Sequence, residues 1–68
     1  MLLRCRLEEL IKKSGFRKDF IADKLQISTR QLRNYELQKS YIPMDKAYIL
    51  ADLLHCDVGD LYERIEEE

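Results

Sequence analysis

Residues that break helices or turn hairpins are nearly missing: proline occurs once (Pro43) and glycine twice (Gly15 and Gly59) in 68 residues. Packed helices suit such a chain, and strands are not expected. Long apolar runs are missing too. No stretch approaches the roughly 20 residues of a membrane span, and Met1-Leu2-Leu3-Arg4-Cys5-Arg6 lacks the apolar core of about 7 to 15 residues found in a secretory leader. A cytoplasmic protein without a membrane partner is expected. Cysteine is scarce: Cys5 and Cys56 show no C-x-x-C spacing and no companion histidine. They read as reduced, partly buried apolar residues, with neither a disulfide nor a metal role. Enzyme signatures are equally lacking. There is no serine, histidine and acid set at a motif spacing, no glycine-rich phosphate loop, and little chain with which to wall a pocket. The chain is therefore expected not to be an enzyme and to need no metal, cofactor or small-molecule ligand. His55 reads as a turn residue, not a ligand.

What is present points to one compact domain. A chain near 60 residues buries only roughly 60% of the surface its unfolded form exposes, so there is room for one core and none for a sensor domain. Hydrophobic residues make up 46% and charged residues 37% without low-complexity tracts, which confines any expected disorder to Glu66-Glu67-Glu68. The net charge of -1 argues against a polyanionic partner until its distribution is read. Residues 1–40 carry ten Lys/Arg against five Asp/Glu, whereas residues 41–68 carry two against eight. A polyanion should meet the first part.

Apolar spacing predicts five helices, and so an all-α bundle. Leu3, Leu7, Leu10 and Ile11 form one stripe, ending at Ser14-Gly15, for a helix over about 2–13. Phe20, Ile21, Ala22 and Leu25 mark a second over about 18–25, whose start at Arg17 lacks a good capping side chain. Ser28-Thr29-Arg30-Gln31 reads as a capping box opening a third helix over about 29–37. Only Gln26, Ile27 and Ser28 separate these two, so they must turn sharply, with Ile27 plugging the corner: a helix-turn-helix. Lys39 to Pro43 forms a loop before a fourth helix over about 44–54, where Ala47, Leu50, Ala51 and Leu54, widened by Tyr48, Ile49 and Leu53, predict deep burial. Asp57 caps a fifth over about 58–66.

The third helix carries the chemistry. At about 100° per residue, Thr29, Arg30, Arg33 and Asn34 share an arc of roughly 140°, while Leu32 and Tyr35 point the other way. Arginine can bond bidentately to guanine and asparagine to adenine in the major groove, so these four are candidates for base contacts. Cations flank them. Arg17 and Lys18 open the second helix, Ser28 caps the third, and Lys39, Ser40 and Tyr41 follow it. These six are candidates for phosphate contacts that fix the third helix in the groove.

At this point the chain resembles the lambda-repressor-like, Cro/Xre helix-turn-helix family from about Leu3 to Tyr62. The pattern lies in Gly15-Phe16, Phe20-Ile21-Ala22-Asp23-Lys24-Leu25, Ile27-Ser28, Leu32, Tyr35-Glu36, Pro43, Leu50-Ala51, Leu53-Leu54 and Asp60-Leu61-Tyr62. The resemblance implies a five-helix bundle, operator binding by a small transcriptional regulator, commonly a repressor and homodimer, and base contacts from Thr29, Arg30 and Asn34. Three positions depart from it. Ile11 stands where the family often has an arginine that pairs with the residue matched by Glu36, Gln38 replaces the glycine usual after the third helix, and Lys18 stands where glutamine is favoured. In the expected fifth helix, Val58 and Leu61 are assigned to the monomer core, and Tyr62 and Ile65 to a two-fold contact. A competing expectation is a protein-interaction module, such as an antitoxin-like accessory regulator, supported by that stripe and by the acidic second part.

Overall fold

A computed structural model describes residues 2–65 of the chain. In order, it contains strand β1 (Leu2–Cys5), helices α1 (Leu7–Ser14), α2 (Lys18–Leu25), α3 (Thr29–Glu36) and α4 (Met44–Leu54), a 3₁₀ turn (Val58–Leu61) and strand β2 (Tyr62–Ile65). Three central helices fall where the apolar spacing places them. The two ends do not: among the described residues the fold is mostly helical, with four α-helices and a small two-stranded sheet in place of the expected fifth helix.

β1 and β2 form an antiparallel pair in which Leu2 faces Ile65, Arg4 faces Glu63 and Cys5 faces Tyr62. The alternation Leu3-Arg4-Cys5-Arg6 has the period of a strand, and it competes with the helical spacing of Leu3 and Leu7. Tertiary contacts decide between them. Cys5 and Tyr62 pack against the core, while Arg4 and Glu63 pair at 2.7 Å. Where β1 passes into α1, the Arg6 N–H donates to the Leu61 carbonyl at 2.8 Å. The expected helix over 2–13 therefore starts at Leu7. The expected helix over 58–66 gives way to the 3₁₀ turn, in which the Asp57 N–H donates to Asp60 Oδ2 at 3.0 Å, and then to β2. The expectation for Glu66-Glu67-Glu68 lies outside the described residues.

The core joins Leu7 and Ile11 of α1, Ile21, Ala22 and Leu25 of α2, Leu32 and Tyr35 of α3, Ile42, Ala47 and Leu50, and Leu61. Burying each leucine or isoleucine among them contributes about 1.5–3 kcal/mol before chain entropy is subtracted. α4 is narrower on its apolar side than expected, since Tyr48 and Ile49 are 60% and 40% exposed. Phe20 also lies outside the core, packed at a tilt against Phe16 with ring centroids 5.2 Å apart and with the Lys24 ammonium 5.4 Å from its centroid. Gly15 closes α1 with φ 80°, a left-handed conformation that suits glycine, and His55 closes α4 in the same region. Lys46 of α4 donates to the Leu25 carbonyl at 3.1 Å, tying the end of α2 to the scaffold. No helix among the described residues is long and apolar enough to cross a membrane.

Candidate nucleic-acid interface

The turn between α2 and α3 is built by backbone closure. Gln26 takes a left-handed conformation (φ 58°), its N–H donates to the Asp23 carbonyl at 3.0 Å, and the Ile27 N–H donates to that of Ala22 at 3.0 Å. Ile27 is half-buried against the core. Ser28 then caps α3, its Oγ accepting from the Gln31 N–H at 3.0 Å. The reciprocal half of the expected capping box takes another form: the Gln31 side chain turns along the helix, and its Oε1 accepts from Asn34 Nδ2 at 3.3 Å.

With Leu32 fully buried and Tyr35 nearly so, the outer side of α3 is oriented. Thr29 and Arg30 are exposed, Asn34 is half-buried, and Arg33 is exposed. Among the described residues, the side chains of Arg30 and Lys39 have no ion-pair or hydrogen-bond partner. Arg33 is differently placed. Its guanidinium pairs with Glu8 of α1 and lies 3.5 Å from Glu36 Oε1, at the border between the core side and the outer side. Hydrogen bonding from Arg33 holds the Glu8 carboxyl below the usual carboxylate range, and the same bond raises the basicity of Arg33.

Of the expected phosphate-contacting residues, Arg17 is exposed at the uncapped start of α2, its Nε 3.3 Å from Asp19 Oδ1. Lys18 points the other way, toward α3, and its Nζ donates to Glu36 Oε1 at 3.1 Å. The Glu36 side chain has no exposed surface, whereas that of Lys18 is 44% exposed. Beyond α3, the Lys39 N–H donates to the Asn34 carbonyl at 2.9 Å, leaving its side chain exposed beside half-buried Ser40. Tyr41 is 73% exposed, its ring 6.1 Å from that of Tyr62. Gln38 adopts the left-handed conformation (φ 62°) in which a glycine was expected, and its side chain donates to the Leu3 carbonyl at 2.9 Å. Strain of about 1–2 kcal/mol at a non-glycine residue there is offset in part by that bond.

Tyr62 and Ile65 do not share a helical stripe, because both lie on β2. Tyr62 is half-buried, and its Oη accepts from the Ile42 N–H at 3.2 Å, a bond within one copy of the chain. Ile65 remains 37% exposed at the end of the sheet. Cys5 and Cys56 are free and half-buried, with burial pushing both thiols up.

The lateral supports of α3 escaped sequence reasoning: Lys18 for Glu36, Glu8 for Arg33, and Leu3 for Gln38. A signal for the first was present. Two departures from the resembled pattern supplied it, Ile11 in place of an arginine and Lys18 in place of glutamine. Nothing in the spacing marks Glu8, because α1 and α3 meet only through the fold.

A family model for the Cro/C1-type HTH DNA-binding domain matches residues 4–67 of the chain. Among curated proteins, none matches.

Proposed function

The chain belongs to the Cro/C1-type helix-turn-helix DNA-binding domain family, and on that premise we propose that it is a small cytoplasmic repressor that reads a double-stranded operator with α3 in the major groove. One observation carries this reading. The Arg30 guanidinium stands exposed and unpaired among the described residues, beside Thr29 and Asn34 and opposite the buried Leu32 and Tyr35. Bidentate bonding to guanine by Arg30 and to adenine by Asn34 supplies discrimination, each pair contributing about 1–3 kcal/mol against a wrong base. Arg17, at the open start of α2, and Lys39, in the loop after α3, supply sequence-independent contacts to phosphates on either side, with Ser28, Ser40 and Tyr41 as neutral donors. Lys18, engaged with Glu36, is not counted among these contacts.

Two copies on a two-fold operator complete the proposal, with Ile65 and its cross-strand neighbour Leu2, 49% exposed, as apolar surface for the contact. Selection of bound sites from random duplex DNA tests it. Enrichment of a palindrome is expected, and recovery of no preferred sequence would count against operator reading. A protein-interaction role has separate support in Met44 and Tyr48, each 60% exposed on α4. Retention of a protein partner by a variant with Arg30→Ala and Lys39→Ala would favour it.

A further inference from the structure

Two apolar side chains, Leu32 and Tyr35, seat α3 on the core along one side only. An eight-residue helix held that way resists sliding better than rolling about its own axis. A roll of about 10° moves a group roughly 8 Å from the axis by more than about 1 Å, enough to spoil a bidentate bond to a base edge. Polar tethers oppose the roll. Lys18 holds Glu36 from α2, and Gln38 reaches Leu3 of β1 beyond the end of the helix. Arg33 sits in the middle of α3 and connects it to the remaining neighbour, Glu8 of α1.

Charge balance sets Arg33 apart from Arg30. Lys18, Arg33, Glu8 and Glu36 form a quartet with two charges of each sign, so no cation is left over for a polyanion. Moving Arg33 out to a base would leave Glu36, already holding an orphan buried Oε2, with Lys18 alone, and would bare Glu8 beside the duplex. Both changes oppose binding.

We propose that Arg33 is a positioning residue for operator reading and not one that touches bases: its guanidinium bridges Glu8 of α1 and Glu36 of α3 and fixes the roll of α3. Arg30 and Asn34 then meet the base edges in register. This rests on the operator-reading function proposed above and narrows the base-contacting set to Thr29, Arg30 and Asn34.

The test compares the parent with Glu8→Gln, Arg33→Gln and the double variant. Both side chains are about half exposed, so all three proteins are expected to fold. Affinity is measured for an operator recovered from random DNA and for a scrambled duplex, over a range of salt. Each single change is expected to lower the operator-to-scrambled ratio by about five-fold or more, with the double variant no worse than either single. The salt slope on scrambled DNA should stay at the parent value, because no phosphate contact is lost. Tighter operator binding by Glu8→Gln would overturn the proposal by showing Arg33 to be a reader that Glu8 restrains. An unchanged ratio in both singles, or additive losses in the double, would also overturn it. If the parent itself recovers no operator, the functional reading fails and this proposal with it, a result distinct from the others.

Discussion

The ammonium of Lys18 lies 3.1 Å from Oε1 of Glu36, a carboxylate with no exposed surface on its side chain. A charge removed from water in this way requires a partner, and removing the partner costs more than replacing the charge. Lys18→Met should therefore destabilise the domain by about 1–3 kcal/mol, a range reduced for the partial exposure of Lys18. Glu36→Gln should cost less, and adding Lys18→Met to Glu36→Gln should cost little more. Urea unfolding of the three variants checks the order, and a larger loss for Glu36→Gln than for Lys18→Met would contradict it.

Reading and anchoring separate by salt. Arg30→Ala and Asn34→Ala should each lose about 1–3 kcal/mol on the preferred operator and little on scrambled DNA. Lys39→Ala should weaken both and lower the salt slope by about one. Fluorescence anisotropy at several salt concentrations distinguishes the two classes, and four parallel slopes would refute the assigned orientation.

Tyr62 gives a test of monomer against dimer roles. In Tyr62→Phe the buried end of the Ile42 N–H loses its acceptor, at a cost of about 1–2 kcal/mol. The expected result is a lower unfolding midpoint with unchanged sedimentation. A shift toward monomer without loss of stability would return Tyr62 to an intermolecular contact.

The Glu8 carboxyl is held low by Arg33, and that of Glu9 by Arg6. A carboxyl whose folded value is depressed contributes stability above its unfolded value, which is lost as pH falls through the folded one. Stability is thus expected to decline below about pH 4.5, the ordinary carboxylate value. In Arg33→Gln, carboxyl NMR titration should show the Glu8 value rising toward the ordinary one while Glu9 remains low.

The sequence makes the middle of the molecule legible and obscures its ends. α2, α3 and α4 each join a strong apolar period to a local stop or start, such as Ser28 or Pro43, and local signals suffice there. β1 and β2 are four residues each, too short for a period of two to outweigh the helical spacing of Leu3 with Leu7, and each exists because the other closes on it. The outer side of α3 follows from Leu32 and Tyr35 alone. The internal engagement of Arg33 does not, since an ion pair between positions 25 apart in the chain leaves no periodic trace.

Pairing Leu2 with Ile65 brings the two margins of the described chain to one spot, and Gln38 pins that spot to the trailing end of α3. A fluorophore or fused domain added at either margin should therefore lie near the trailing end of α3, away from Thr29. A short peptide bridge between the margins, with a new opening cut in the loop at Lys39 and Ser40, should yield a permuted molecule that keeps its core.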